Sequence, residues 1–238
     1  MTPIEVTAIL PVFNDRQALS RAIPESLAAL SAITKGFELV IAEDGSTDGS
    51  ADLVREYALK DTRVRLAHND ERLGRGRALT RVMQEKGGPI ICYYDVDLAT
   101  DMRHLPALIQ SIRDGYDVTT GSRLLPDSMV VRSEKRELPS RVYNWLVRWI
   151  LGSTLHDHQC GFKAFRRDSV LRVLPSVRAD HWFWDTELLV RAQKNGLRVR
   201  EFPVQWTEGK GTTVRLKDIL RMGSSIIHLW WQLHVAKN

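Results

Sequence analysis

The feature that most constrains this chain is a rhythm in its first half. Short apolar runs are each followed by a turn-rich polar cluster and then by a helix-periodic segment. Val6–Leu10, Phe37–Ala42, Val64–Ala67, Ile90–Tyr94 and Tyr116–Thr120 read as strands. Helical patterns lie between them: from Asn14-Asp15 to about Ile33, through Leu53 and Tyr57, from Gly76 to Glu85, and from about Arg103 to Arg113. This alternation predicts an α/β fold, a Rossmann-like and mostly parallel doubly wound sheet flanked by helices. In such sheets ligands bind beyond the carboxyl ends of the strands. Three polar clusters fall there: Pro11–Asp15, Glu43–Asp48 and Asp95–Asp97.

The second half differs. All seven tryptophans lie after residue 144. Leu138, Val142, Leu146, Trp149 and Ile150 keep helical spacing, with Arg136, Arg141 and Arg148 among them. A further helix is expected from about Trp184 to Lys194. A last one runs from Leu216 onward, with Ile219, Leu220, Ile226, Ile227 and Trp230 on one side. The expected organisation is one main domain over 1–215 and a C-terminal amphipathic helix over 216–238. No apolar run approaches the roughly 20 residues that span a bilayer, and the start of the chain lacks the pattern of a signal peptide. Cys92 and Cys160 form neither a zinc pattern nor a disulfide framework, and Cys92 sits in an apolar run as a buried small hydrophobe. A cytoplasmic protein, soluble or peripheral to a membrane, is expected. The net charge of +5 suits phosphate-bearing ligands or an anionic membrane surface. A nucleic-acid partner is disfavoured, because acidic strand ends repel its phosphates.

Two carboxylates one residue apart at a strand end can both reach a hard cation, so Asp95 and Asp97 are the candidate metal ligands. Mg²⁺ or Mn²⁺ takes oxygen ligands and shares them with substrate phosphates. The alternative is a solvated turn in which an aspartate, Asp101 for instance, caps a helix. Glu43-Asp-Gly-Ser-Thr-Asp-Gly49 admits two uses as well. Ser46, Asp48 and Gly49 suit a helix start, whereas Glu43 and Asp44, right at the strand end, suit hydrogen bonding to a base or ribose. Leu73-Gly-Arg-Gly-Arg-Ala78 places Arg75 or Arg77 where a diphosphate could be held, or is simply a flexible turn before a helix.

Pro11-Val-Phe-Asn14, Glu43–Asp48, Gly74–Ala78, Asp95-Val-Asp97 and Gly121-Ser-Arg123, in this order and spacing, resemble the family 2 glycosyltransferases with the GT-A fold. Asp157–Phe165, Trp182–Leu189 and Val204–Glu208 resemble dolichyl-phosphate glucosyltransferases and, less closely, the mannosyltransferases. The resemblance covers nearly the whole chain. It implies inverting, metal-dependent transfer of a hexose from a nucleotide sugar, UDP-glucose in preference to GDP-mannose, to a polyprenyl phosphate. By it, Pro11, Phe13 and Asp15 frame the base, although many relatives carry Glu at Asp15, and Asp44 matches the base-binding carboxylate. Asp95 and Asp97 match the metal motif. Some mannosyl relatives place a metal-binding Gln where this chain has Ala99. Arg123 and Arg132 become candidates for holding the acceptor phosphate. Asp185 and Glu187 fall where the family keeps a carboxylate near the sugar, and the alternative for Glu187 is an exposed helical position.

A lipid-linked acceptor requires contact with a membrane surface. Arg132, Lys135, Arg136 and Arg141 beside Trp145 and Trp149, and the segment Ile226–Trp231, suit an interface. The same helices could instead pack on the sheet or on a second copy of the chain in a homo-oligomer. Two further readings compete: a related enzyme with a soluble glycan acceptor, and a nucleotide-sugar binding module without catalysis.

Overall fold

A computed structural model describes residues 2–132, 134–209 and 216–235, with the side chains of 134–136 and 216–222 outside the description. Four strands open the fold: β1 (Val6–Val12), β2 (Phe37–Glu43), β3 (Val64–Ala67) and β4 (Ile90–Tyr94). They are joined by α1 (Arg16–Ser31), α2 (Ser50–Lys60) and α3 (Arg75–Gln84). All seven residues of β1 are buried, as expected of a parallel strand covered on both faces. Asp15 ends the first loop by capping α1, its Oδ1 accepting from the Ala18 N–H at 3.1 Å.

Beyond β4 the parallel pattern is interrupted. A 3₁₀ turn at Met102–His104 and α4 (Leu105–Arg113) lead to β5 (Val118–Ser122), which begins two residues later than the apolar pattern suggests. The short strand β6 (Met129–Val131) and the long helix α5 (Glu134–Leu151) follow. Then come β7 (Phe162–Arg166), α6 (Arg167–Val173), α7 (Trp184–Lys194), β8 (Val199–Pro203), β9 (Gln205–Thr207) and α8 (Leu216–His234). The main sheet has seven strands in the order β3-β2-β1-β4-β7-β5-β8, and β6 pairs with β9 in a separate ribbon. β7 is inserted antiparallel between β4 and β5, while the remaining pairings of the main sheet are parallel. The segment Asp157–Phe165, read only as a motif, thus runs into a central strand that begins at Phe162.

Each face of the sheet carries a core. One packs α1 and α4 against β1, β2 and β4; the other packs α3, α6 and α7 against the opposite face around Tyr93, Phe165 and Trp184. A third cluster joins α5, α7 and α8 through Tyr143, Val147, Phe183, Ile226 and Leu229. Of the apolar stripe expected on α5, Leu138, Val142 and Trp149 are exposed, as is Trp145, while Leu146 and Ile150 are half-buried against the third cluster; Tyr143, Val147 and Leu151 point inward. On α8, Ile226 is buried and Ile227 and Trp230 are exposed; the side chains of Ile219 and Leu220 lie outside the described residues. So do those of Lys135 and Arg136, and so does the expected boundary at 215.

Candidate active site

β1, β2 and β4 end at the same edge of the sheet, and their carboxyl ends gather the expected acidic residues. After β4 the chain makes a tight turn: the Leu98 N–H donates to the Asp95 carbonyl at 3.0 Å, and Leu98 takes a left-handed φ of 51°. Such a backbone in a branched residue is costly and persists where the surroundings impose it. Two glycines make room for the carboxylates. A Cβ on Gly161 would overlap the Asp95 carboxylate, and one on Gly209 would overlap that of Asp97. The Asp97 carboxyl is pushed up by burial and by the negative charges of Asp95 and Asp15. Its Oδ1 accepts from the Ala99 N–H at 3.0 Å, so Ala99 supports the carboxylate through its backbone. Asp101 caps the following turn, as the bland alternative for that residue expects.

Arg75, the first residue of α3, bridges two carboxylates. Its Nη2 donates to Asp95 Oδ1 at 2.8 Å and its Nη1 to Asp185 Oδ2 at 2.6 Å. Asp185, at the start of α7, is almost fully buried. It also receives Lys163 Nζ at 3.2 Å and the hydroxyl of Tyr93. Burial opposes ionisation of Asp185, but the charges of Lys163 and Arg75 outweigh it and hold its carboxyl below the usual range. Lys163 itself is wholly buried, in register with Tyr93 on β4 and Thr120 on β5. Sequence reasoning passed over Lys163 and Tyr93 as site residues. The available signal was a lysine flanked by apolar residues in Phe162-Lys-Ala-Phe165, where a buried cation needs a counter-charge.

The acidic residues after β2 organise the loops. Both Asp44 oxygens accept backbone N–H groups, from Leu73 at 2.7 Å and Gly74 at 2.9 Å. Glu43 is buried, bonded to the Ser46 N–H at 2.5 Å and to the His68 ring. Asp48 binds the N–H groups of Arg16 and Ser50. Pro11 is buried in β1. Phe13 is exposed at the mouth with the Arg72 guanidinium 3.9 Å from its ring centre. Arg77 is exposed and approaches Asp180 at 3.5 Å.

Glu187 is buried, not on an exposed helical face. One oxygen accepts from the backbone of Arg178 and Ala179 at 3.0 and 2.8 Å, and the other binds Arg191 at 2.7 Å. The Asp180 carbonyl of the same loop accepts from the Gly76 N–H at 3.0 Å. Asp185 is thus joined to Asp95 through Arg75, while the contacts of Glu187 lie with the loop that braces α3.

Arg123 and Arg132 line a separate cavity of about 350 Å³, together with Ser128, Glu137 and Arg141. Arg123 is bound side-on by buried Asp157, with Nε at 2.7 Å and Nη2 at 2.9 Å. Arg132 has no hydrogen-bond partner for its Nε and Nη1 among the described residues, although both atoms are shielded from solvent. Burial and the like charge of Arg123 lower its pKa. Trp206 lies against both guanidinium groups, 5.5 and 5.6 Å from its ring centre.

A profile of the family described as glycosyl transferase family 2 matches residues 7–174. Glycosyltransferase AglD of Haloferax volcanii is 47% identical over 98% of this chain, and the chain spans 38% of that relative's length. A dolichyl-phosphate beta-glucosyltransferase of Drosophila melanogaster is 28% identical over 95% of the chain and 74% of the relative. Among solved structures, glucosyl-3-phosphoglycerate synthase from Mycobacterium tuberculosis, in complex with Mn²⁺, UDP and glucosyl-3-phosphoglycerate, superposes with a TM-score of 0.67 at 18% identity. It covers 96% of this chain and 79% of that one.

Proposed function

The chain belongs to glycosyl transferase family 2 and is a glycosyltransferase, and on that premise we propose that it transfers glucose from UDP-glucose to a polyprenyl phosphate with inversion at the anomeric carbon. The observation that carries this reading is the mouth at Asp95 and Asp97, where two carboxylates stand beside the bridging cation Arg75. The choice of glucose and of a polyprenyl phosphate draws on the dolichyl-phosphate beta-glucosyltransferase named above.

Asp95 and Asp97 fit a divalent cation. Both are oxygen donors at one turn, and the Asp97 carboxyl is destabilised as an anion by burial and by its neighbour, a penalty that a cation relieves. Among the described residues no cluster of three or more His, Cys, Asp or Glu side chains surrounds one point, so the pair would share its cation with donor phosphates and water. Mg²⁺ or Mn²⁺ bound there would neutralise charge developing on the departing diphosphate.

In the proposed reaction an acceptor phosphate oxygen forms a bond to the anomeric carbon while the bond from that carbon to the diphosphate oxygen breaks, and UDP leaves with the electron pair. A phosphate monoester has a second pKa near about 6 and is already mostly a dianion at neutral pH. No general base is then required. The protein's work is to align two anions and to compensate their charge. Arg75 serves the donor side and Arg132 the acceptor side. Phe13, with Pro11 and Asp15 behind it, frames the base; Asp44 and Glu43 shape the loop around it. Arg123 frames the acceptor pocket, and Asp185 fixes Arg75.

Among the described residues no helix is long and apolar enough to cross a membrane. We place the lipid surface against the outer faces of α5 and α8, where Trp145, Trp149, Trp230 and Trp231 are exposed. Residues 1–215 then form the catalytic part and 216–238 the surface helix. Wild-type protein is expected to sediment with anionic vesicles, and Trp145→Ala with Trp149→Ala to weaken this several-fold; unchanged sedimentation would remove α5 from the interface.

The reaction is tested by incubating the protein with Mg²⁺, polyprenyl phosphate and radiolabelled UDP-glucose or GDP-mannose, and counting label in the lipid phase. Label from UDP-glucose, lost with EDTA and reduced by about a thousandfold in Asp97→Ala, is expected. Label only from GDP-mannose overturns the donor. Label in neither lipid phase, with UDP released on adding soluble glycans, overturns the acceptor.

A further inference from the structure

Arg75 stands where the proposed cation needs to bind. Asp95 has two oxygens, and one of them is occupied by Arg75 Nη2 at 2.8 Å. The arginine is not held symmetrically. Its other arm is fixed on Asp185, a carboxylate that is buried and also bound by Lys163 and Tyr93. Asp95 is far more open, with 41% of its side chain exposed against 3% for Asp185. An ion pair in water-accessible surroundings is weaker than one that is desolvated. The Asp95 arm is therefore the one that yields, and the Asp185 arm is the pivot. Arg75 Nε is also buried without a partner among the described residues, so the guanidinium keeps an unused donor.

We infer that Arg75 acts as an exchangeable counter-ion: it neutralises Asp95 in the free protein, and it turns to a donor phosphate when cation and nucleotide diphosphate arrive together. This inference rests on the donor-site reading above and assigns Arg75 a positioning role in addition to charge compensation. A positive charge next to a cation site weakens cation binding until an anion takes that charge up. Coupling between two ligands is reciprocal, so nucleotide and cation each strengthen the other's binding. Lys163, paired with Asp185 Oδ1 at 3.2 Å, helps hold the pivot carboxylate in place while the other arm of Arg75 turns.

The test is Mn²⁺ binding to the full chain, read by the loss of free Mn²⁺ signal in electron paramagnetic resonance, with and without UDP or GDP. For wild-type protein the nucleotide is expected to tighten Mn²⁺ binding by at least about tenfold. Arg75→Gln is expected to bind Mn²⁺ about tenfold tighter than wild type when nucleotide is absent, and to lose most of the nucleotide effect. Arg75→Lys, which keeps the charge but not the two-armed bridge, is expected to recover part of the nucleotide effect, and a melting curve for each variant guards against a folding defect. If Arg75→Gln and wild type bind Mn²⁺ equally without nucleotide, the exchange is overturned and the metal site stands. If wild type binds no Mn²⁺ even with UDP or GDP, or Asp97→Ala binds it as well as wild type, the metal site falls and the exchange with it.

Discussion

Two arginines, Arg75 and Arg123, look alike in sequence, each lying just beyond a glycine, Gly74 and Gly121, at the ligand edge of the sheet. Their surroundings separate them. Arg123 is gripped side-on by Asp157, which is fully buried and also takes the backbone N–H groups of Arg123 and Gln159 at 3.0 Å each. Every oxygen in that pair is spent within the protein. Arg75 instead spans a saturated carboxylate and a half-exposed one. A guanidinium beside a binding cavity is therefore not automatically a ligand for what binds there; its counter-ion decides. Where the carboxylate is buried and fully hydrogen-bonded, the pair is framework. Where it is open, the pair can be exchanged.

The comparison is broken most directly at Asp157. Replacing it with Asn leaves Arg123 buried without its counter-charge, and breaking such a pair costs about 3–5 kcal/mol. Asp157→Asn is expected to unfold at markedly lower denaturant, with Arg75→Gln losing much less. Acid supplies a second reading. Burial alone would raise the Asp157 pKa, but the charge and hydrogen bonds of Arg123 outweigh it and hold the carboxyl well below the usual range. The stabilisation from a depressed carboxylate is complete above the unfolded value of about 3.9 and is lost as pH falls through the folded value. The stability gap between wild type and Asp157→Asn should therefore be flat near neutrality and shrink below about pH 4. Urea midpoints measured across that range check it, and a gap independent of pH would make Asp157 a packing residue only.

How far these roles were legible follows from range. β3, β4 and α7 fall where the apolar patterns place them, because a buried strand and a covered helix each carry their signal locally. β7 was invisible as a strand: Phe-Lys-Ala-Phe-Arg holds a lysine whose partner, Asp185, lies 22 residues later. β6 and β9 are three residues each, too short for periodicity to register. The position of Asp95 and Asp97 just beyond β4 was legible because a strand end is a local feature. What Asp44 and Glu43 do could not, since their partners Leu73, Gly74 and His68 are brought back by the loop after β3. On α5 the apolar residues form two stripes, and periodicity alone does not say that Tyr143 and Val147 face inward while Trp145 and Trp149 face out.

The smaller effect sharpens the comparison inside one cavity. Arg132 and Arg123 both lie against the Trp206 ring, yet of the two only Arg132 has shielded donors without a partner among the described residues. A buried unsatisfied donor costs free energy unless a ligand or water accepts from it. If an acceptor phosphate fills that role, Arg132→Ala removes a charge-assisted hydrogen bond of about 2 kcal/mol, equivalent to roughly thirtyfold in affinity. The expected result is a KM for polyprenyl phosphate raised by about that factor, with the KM for donor and the melting temperature unchanged, and partial rescue by Arg132→Lys. The lowered pKa of Arg132, caused by burial and by Arg123, fits the same picture, because an arriving dianion relieves the repulsion between the two guanidinium groups. Removing Arg132 should then stabilise the free protein slightly or leave it unaffected, the opposite of removing Asp157. A melting temperature that falls while the acceptor KM stays constant would move Arg132 into the framework beside Arg123 and leave the acceptor phosphate to be held elsewhere.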